Sequence, residues 1–277
     1  MASSGTSDVV IPTTLDRPSQ ARLVDLTSRD GVGCPPRPGC GVIAAMDATA
    51  DAAPPTAATP TPAPVSVGAY LARRLQQLGV GHLFGLPGDF NLGLLDELLA
   101  DGGLRWVGSA NELNAGYAAD GYARVRRGVS AVVTTFGVGE LSAVNATAGS
   151  YAEDVPVVHV VGMPATTAQA SGALLHHTLA DGDFSHFVRI AAEVSASAVV
   201  LRAGSAARSI DQALLTAVGT SKPVYLGIPV DVARSLVPAG ALARPLRVLR
   251  SDADTAAEFA RALTEFCLLY TSDAADE

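Results

Sequence analysis

From residue 65 to about residue 245, short apolar runs rich in valine alternate with longer segments of helical period. Such runs are typical of strands buried on both faces of a sheet, and the segments between them are typical of crossover helices. The pattern predicts one α/β domain, with a mostly parallel open sheet and helices on both faces. The predicted strands are HLFGL at 82–86, RWVGS at 105–109, SAVVTTF at 130–136, PVVHVVG at 156–162 and PVYLGIP at 223–229.

The two ends of the chain differ in composition from this domain. Residues 1–64 combine Gly/Pro-rich turns with a Pro/Ala/Thr tract that cannot bury enough apolar area to offset its conformational entropy, so we expect a disordered leader. A transit peptide is the alternative, although the aspartates of this segment are foreign to that class. Residues 246–277 are expected to form a linker or the start of a middle domain. They contain a predicted helix over 252–266, then an atypical tail of the kind that out-of-frame or vector sequence leaves, so we expect a truncated chain.

The charge and the cysteine content exclude several kinds of protein. With 27 acidic against 19 basic residues and a net charge of −8, the chain lacks the positive face that a nucleic-acid binder needs. The number of cysteines, three, is odd, so a disulfide framework is not predicted. Two of them lie in a Gly/Pro-rich stretch that has no neighbouring histidine, so a zinc site is not predicted either. The longest apolar run, at 155–163, is half of the roughly 20 residues that cross a bilayer. We expect a cytoplasmic protein without a nucleic-acid or membrane partner.

Acidic residues follow the first two predicted strands, at the end of the sheet where parallel sheets bind their ligands. The turn GLPGDFN at 85–91 presents Asp89, and Glu112 lies in the first turn of a helix rich in alanine and glycine. Each residue also has a purely structural interpretation. Asp89 would cap a helix that begins near Asn91, and Glu112 would interact favourably with the dipole of its own helix.

Glycines and histidines follow the next two strands. Gly137 and Gly139 precede a helix in FGVGELSA, in a turn suited to backbone contact with a ligand. His176 and His177 are adjacent in LLHHTLADGDF, and histidine is the side chain best able to move protons near neutral pH. Because neighbours on a strand point to opposite sides, both histidines can serve one site only on a loop or at a helix start. The alternative is one buried and one solvated histidine.

Three motifs of other enzyme classes are missing from the sequence. The turn after the first strand, GLPGDF, is not the GxGxxG of a nicotinamide-binding domain. Lys222 is the only lysine and is followed by a proline, which excludes a Walker motif. The GxSxG of a nucleophile elbow is absent as well.

The strings FGLPGDFN, NELNAGYAADGYAR, TTFGVGELSA, GSYAE and LLHHTLADGDF occur in this order over residues 65–245. In this order and spacing they resemble the N-terminal pyrimidine-binding domain of thiamine-diphosphate-dependent 2-keto acid decarboxylases, of which pyruvate and indolepyruvate decarboxylases are the nearest kinds. The resemblance implies non-oxidative decarboxylation of a 2-keto acid to an aldehyde and carbon dioxide. It does not distinguish pyruvate from indolepyruvate or a similar substrate.

The resemblance also implies roles for individual residues. Glu112 matches the glutamate that hydrogen-bonds a ring nitrogen of the cofactor's aminopyrimidine, and so promotes formation of the nucleophilic ylide. Asp89, His176 and His177 match the family's acid/base and substrate-positioning groups. The implied partners are the 2-keto acid and further copies of the chain, in a dimer or a tetramer.

The sequence departs from this family in one respect. Members hold Mg²⁺ and the cofactor's diphosphate in a C-terminal domain, through a GDG motif and a later Asn-Asn pair, and the chain contains neither. We therefore expect this chain to supply a pyrimidine-binding half-site and to have little decarboxylase activity alone. The alternative is a non-catalytic α/β domain that acts as a dimerisation or interaction module, with the small-residue helix at 112–126 as its contact surface.

Overall fold

A computed structural model describes residues 62–247 and 252–273, with the side chains of the second range described up to residue 267. The predicted disordered leader, residues 1–64, lies outside the described residues except for its last three positions. Among the described residues, no helix is long and apolar enough to cross a membrane.

A six-stranded sheet forms the centre of the domain, and every neighbouring pair of its strands is parallel. This confirms the predicted fold class. The strand order is β3-β2-β4-β5-β7-β6, and a separate antiparallel pair is formed by β1 and β8. The strands are β1 Val65–Ser66, β2 His82–Gly85, β3 Arg105–Gly108, β4 Ser130–Thr135, β5 Val157–Met163, β6 Ser197–Val200, β7 Val224–Pro229 and β8 Leu236–Val237.

Each of the five predicted strands agrees with the structure to within one residue at either end. The sequence did not predict β6, because this short strand lies at the edge of the sheet and all four of its residues are only partly buried. An edge strand lacks the continuous apolar run that marks a strand covered on both faces.

The helices of the described residues differ widely in length. They are α1 Val67–Gln77, α2 Leu92–Leu99, α3 Glu112–Arg126, α4 Val138–Ala152, α5 Thr166–Ala170, α6 His186–Glu193, α7 Ala206–Thr220, α8 Val230–Ala233 and α9 Ala253–Asp273. The last helix, α9, continues past the end that the sequence predicted, at residue 266, and all of its described side chains are exposed.

Two layers of helices cover the two faces of the sheet. Helices α1, α2 and α7 bury their apolar side chains on one face, whereas α3 and α6 bury theirs on the other. The alternation along β4 shows the cause: Ala131 and Val133 pack against the first layer, and Val132 packs against the second. Successive side chains of a strand point to opposite faces, so a strand in the middle of a layered domain must be apolar throughout.

A buried arginine ties α1 to α7 and to the chain that follows β8. Arg74 is 2% exposed, and its Nε and Nη2 atoms donate hydrogen bonds of 2.8 Å to the two carboxylate oxygens of Asp211. Its Nη1 atom donates to the carbonyl oxygen of Arg244, and Nη2 donates to that of Ala241. The guanidinium group is thus fully paired, as a buried charge must be.

The path of the chain produces a reversal point in the sheet. From β2 the chain runs through α2 to β3 on one side, and α3 then returns it past β2 to β4 on the other side. Helices α2 and α3 therefore lie on opposite faces, which opens a crevice beyond the carboxyl ends of β2 and β4. Open α/β sheets bind ligands at such a point.

Candidate functional site

The four segments selected from the sequence all lie at this end of the sheet. Asp89 follows β2, Glu112 begins α3 after β3, the glycine turn at 137–139 follows β4, and the adjacent histidines follow β5. Because these four strands are neighbours and parallel, the segments after them meet at one edge. The fold therefore brings all of the sequence-predicted site residues to the same edge.

The turn after β2 is held by a buried asparagine that the sequence analysis did not select. The Asn91 side chain accepts a hydrogen bond from the Gly88 amide at 2.8 Å and donates one to the Leu86 carbonyl oxygen at 3.0 Å. Gly88 lies so close to Thr135 of β4 that a Cβ atom there would be 2.7 Å from the threonine Cβ. Asn91 is the residue that precedes α2, and its side chain makes no capping hydrogen bond to that helix end, nor does the Asp89 side chain among the described residues. The alternative role of Asp89 as a helix cap is therefore not observed.

Asp89 instead pairs with the first of the two histidines. Its Oδ2 atom lies 3.0 Å from Nε2 of His176, and the two side chains are 70% and 54% exposed. The Phe90 ring stacks on the His176 ring at a centroid distance of 5.1 Å and meets the His177 ring edge-on at 6.2 Å. Phe90 is a second residue that the sequence analysis missed, since a phenylalanine after a turn is usually assigned to the core.

The two histidine rings are in contact, at a centroid distance of 4.6 Å. They lie on a loop between α5 and α6, and His177 has a φ of +63°, a backbone conformation that side chains other than glycine rarely adopt. This conformation breaks the alternation of an extended chain and allows both rings to contact Phe90. The Nδ1 atom of His177 is buried and has no hydrogen-bond partner among the described residues.

The glycine turn after β4 supports the histidine loop directly. Gly137 has a φ of +71°, and a Cβ atom at this position would lie 1.8 Å from the carbonyl oxygen of His177. Only glycine satisfies both the conformation and the close approach. The turn that the sequence suggested for ligand contact is therefore also a backbone contact within the site.

Glu112 lies on the other side of the same turn. A Cβ atom at Gly139 would be 3.0 Å from the Oε1 atom of Glu112, so the carboxylate rests against this glycine. The end of α3 that carries Glu112 is capped by Asn111, whose side chain accepts a hydrogen bond from the Asn114 amide at 2.9 Å. Glu112 is partly exposed, and within the part of the chain that the structure describes its carboxylate has no hydrogen bond or ion pair. It is an available acceptor at the mouth of the crevice.

A second glutamate, Glu140, lies buried beneath the turn. One of its carboxylate oxygens accepts a hydrogen bond from the Gly137 amide at 2.7 Å, and the other accepts one from the Tyr225 hydroxyl at 2.8 Å. Burial raises the pKa of Glu140 to about 7. Glu140 was not predicted from the sequence, although an acidic residue three positions after the N-cap residue, here Gly137, has the spacing of a capping box.

A buried histidine lies near Glu140 on the same face of the sheet. The Nε2 atom of His159 is 2.9 Å from the hydroxyl of Thr134, and its ring packs edge-on against Tyr225. Burial lowers the pKa of His159 to about 4, so the ring is neutral at pH 7. His159 is a core histidine rather than a member of the exposed cluster.

The strand order, the glycine turn and the ionisable groups around it define an α/β domain that binds a ligand at the carboxyl ends of its strands. Residues 65–186 match the family model described as the thiamine pyrophosphate enzyme, N-terminal TPP binding domain. The resemblance found in the sequence is confirmed.

Curated relatives match between 61% and 73% of the chain. A putative pyruvate decarboxylase of Schizosaccharomyces pombe is 54% identical over 197 residues, which are 70% of this chain and 34% of the relative. Pyruvate decarboxylase isozyme 2 of Saccharomyces cerevisiae is 50% identical over 204 residues, or 73% of this chain and 36% of the relative. An alpha-keto-acid decarboxylase of Mycobacterium leprae is 56% identical over 169 residues, or 61% and 30%. The chain spans about a third of the length of the curated relatives it matches.

Proposed function

We propose that this chain supplies the pyrimidine-binding half of the active site of a thiamine-diphosphate-dependent 2-keto acid decarboxylase, which converts pyruvate, indolepyruvate or a similar acid to an aldehyde and carbon dioxide. The observation that carries the proposal is the Glu112 carboxylate, which rests against Gly139 without a partner among the described residues. The names of the relatives, which are pyruvate and alpha-keto-acid decarboxylases, support the reaction class.

The residues around Glu112 fit the aminopyrimidine of thiamine diphosphate. A flat ring needs a surface that it can approach closely, and Gly139 offers backbone without a side chain beside the Glu112 carboxylate. The ring also needs a hydrogen-bond partner at a nitrogen atom, which an unengaged carboxyl group supplies. When bound, thiamine diphosphate supplies the nucleophilic carbon and the electron sink that loss of carbon dioxide requires.

In this proposal Glu112 would hold a ring nitrogen of the aminopyrimidine through a hydrogen bond and could move a proton at that atom. The carboxyl group is placed at the crevice by its position in the first turn of α3. Glu112 thereby sets the protonation of the ring without contacting the substrate.

Asp89, His176 and His177 are proposed to bind the substrate and move protons. The contact of 3.0 Å between Asp89 and His176 orients the imidazole. The His177 ring lies beside that of His176, at a centroid distance of 4.6 Å. Two neighbouring groups of this kind suit a reaction in which a carboxylate is lost and a proton is then delivered to carbon.

Mg²⁺ and the cofactor's diphosphate are proposed to be held outside the part of the chain that carries Glu112. No group of three or more histidine, cysteine, aspartate or glutamate side chains that could hold a metal ion occurs among the described residues. The sequence also lacks GDG and Asn-Asn. The Asp89 and His176 side chains are exposed, so a second protein surface is needed to exclude water from the site. We propose a homo-oligomer, a dimer or a tetramer, in the cytoplasm.

A chimera tests the proposal. Residues 62–247 would replace the matching part of the S. cerevisiae isozyme, and aldehyde would be measured with pyruvate, phenylpyruvate and indolepyruvate. We expect the chimera to decarboxylate at least one of these acids, and the 277-residue chain alone to show little activity. Glu112→Gln should lower kcat by at least about 100-fold, whereas Glu193→Gln, an exposed glutamate at the end of α6, should leave it unchanged.

A chimera that folds and has the same oligomeric size as the yeast enzyme but releases no aldehyde would contradict the proposal. A Glu112→Gln variant with unchanged kcat would contradict it as well. Either result would favour the non-catalytic interaction module.

A further inference from the structure

One short turn contacts both halves of the candidate site. The Glu112 carboxylate rests against Gly139, and the carbonyl group of His177 rests against Gly137. These two glycines are separated by a single residue, Val138, with which α4 begins. Any displacement of this turn must therefore move the support of the proposed cofactor residue and of the histidine loop together.

The position of the turn is set from below by Glu140 and Tyr225. Glu140 accepts hydrogen bonds through both carboxylate oxygens, from the Gly137 amide and from the Tyr225 hydroxyl. Tyr225 belongs to β7, which pairs with β5 inside the sheet, and its side chain has no exposed surface. The first turn of α4 is thus bonded to a fully buried side chain of the central sheet.

The chemical setting of Glu140 argues against a role in stability alone. The carboxyl group is buried, and no arginine or lysine contacts it among the described residues. The titratable groups that face it are the Tyr225 hydroxyl from β7 and, beyond it, the neutral His159 ring from β5. A carboxyl group buried without a cation costs free energy, so its presence here is explained by the two hydrogen bonds that it accepts.

We propose that Glu140 is a positioning residue of this site. Its hydrogen bonds to the Tyr225 hydroxyl and the Gly137 amide fix the position of the glycine turn relative to the sheet, and Glu112 and His177 rest on that turn. The inference rests on the proposed function for its purpose, and on the hydrogen bonds and contacts for its mechanism. Glu140 reaches neither the crevice nor the exposed histidine rings, so it acts only through the turn.

Glutamine and leucine separate the two possible roles of Glu140. Glutamine can still accept from the Gly137 amide with its oxygen and donate to the Tyr225 hydroxyl with its nitrogen, because a hydroxyl both donates and accepts. Leucine fills the space but makes neither bond. A positioning role predicts that Glu140→Gln preserves the site and that Glu140→Leu disturbs it, and Tyr225→Phe should disturb it less, because one of the two bonds remains.

The experiment uses nuclear magnetic resonance on the 277-residue chain, so it does not depend on enzyme activity. We expect the Gly137 amide to exchange with solvent at least about tenfold faster in Glu140→Leu than in the native chain, and the ring signals of His176 and His177 to shift. In Glu140→Gln both should stay at their native values. The control signals are the amides of Val132 and Val160 in the sheet and the ring of His186, which should not change in any variant.

Unchanged Gly137 exchange and histidine signals in a folded Glu140→Leu variant would overturn the proposal. If that variant does not fold, Tyr225→Phe decides: native Gly137 exchange in this variant would overturn it too. The result is distinguishable from failure of the proposed function, because an inactive chimera leaves these signals as they are. Conversely, an active chimera that loses activity on Glu112→Gln does not by itself establish a role for Glu140.

Discussion

His177 has an unusual backbone conformation for its residue type, and this bears on the balance between stability and function. Its φ of +63° lies in the left-handed region, whereas His176 beside it has no positive φ. A side chain in that region costs about 1 kcal/mol relative to glycine. This conformational cost is explained if the site needs both imidazole rings in contact with Phe90 and His176 in contact with Asp89.

Glycine should therefore be more stabilising than alanine at position 177. We expect His177→Gly to have a free energy of unfolding about 1 kcal/mol above that of His177→Ala, measured by urea denaturation. At His176, where φ is ordinary, the order should reverse, because glycine there only adds entropy to the unfolded chain. The same order of stability at both positions would show that His177 is not strained.

Glu140 and His159 should affect the pH dependence of stability in opposite directions. The pKa of Glu140 is raised from 4.5 to about 7, so the folded chain binds more protons than the unfolded chain in that range, and stability falls as pH rises. The pKa of His159 is lowered from 6.5 to about 4, so the unfolded chain binds more protons there, and stability increases with pH. Each effect is of the order of 3 kcal/mol.

Single substitutions separate these two effects. Between pH 4.5 and 6.5, the free energy of unfolding of Glu140→Gln should increase with pH relative to the native chain, because the opposing term of the glutamate is gone. That of His159→Gln should decrease relative to the native chain. Urea denaturation at several pH values measures both differences, and curves parallel to the native one would contradict the assignment of buried titrating groups.

At the scale of elements, Arg74 joins α1 to α7 and to the segment after β8 through its hydrogen bonds to Asp211 and to the carbonyl groups of Ala241 and Arg244, which we call the Arg74 clamp. Among the described residues, the other hydrogen-bond partners of this guanidinium group lie on α1. Loss of the Asp211 carboxylate would leave the buried guanidinium group of Arg74 without an opposite charge.

Asp211→Asn should therefore destabilise the domain by about 3 kcal/mol. The matched control is Asp154→Asn, which removes the carboxylate of an exposed pair with Lys222 at a position with φ of +57°, a conformation that asparagine accepts readily. That change should cost less than about 1 kcal/mol. Thermal or urea unfolding gives both values, and equal costs would refute the structural importance of the clamp.

At the scale of the whole molecule, the described part of the chain after residue 247 contributes little to the core. Every described side chain of α9 is exposed, including Phe259 and Phe266, which are each 68% exposed. In contrast, Val237 of β8 is buried and pairs with Val65, and the nearby carbonyl groups complete the Arg74 clamp.

Two shortened chains test this boundary. A chain that ends after residue 247 should keep the native free energy of unfolding to within about 0.5 kcal/mol. A chain that ends after residue 235 should lose at least about 2 kcal/mol, because it lacks β8 and two acceptors of Arg74. Equal stability of the two chains would show that β8 does not belong to the cooperative unit.

The α/β class, five of the strands and the segments that carry the site can all be inferred from the amino-acid sequence. Runs such as PVVHVVG can be recognised as strands because a strand covered on both faces must be apolar throughout. The edge strand β6 and the two-residue strands β1 and β8 have no such apolar run. The motifs around Asp89, Glu112 and the two histidines were sufficient to indicate the family that the comparison confirmed.

Which side chains meet depends on how the chain folds in three dimensions. The contacts of Glu140 with Tyr225 and of Asp89 with His176 join residues 85 and 87 positions apart. Such pairs depend on the order of the strands, which no local pattern of residues encodes. The ring of Phe90 beneath both histidines and the glycine turn beneath Glu112 and His177 have the same origin. The sequence shows local periodicity, whereas the site is built from contacts between segments that are distant along the chain.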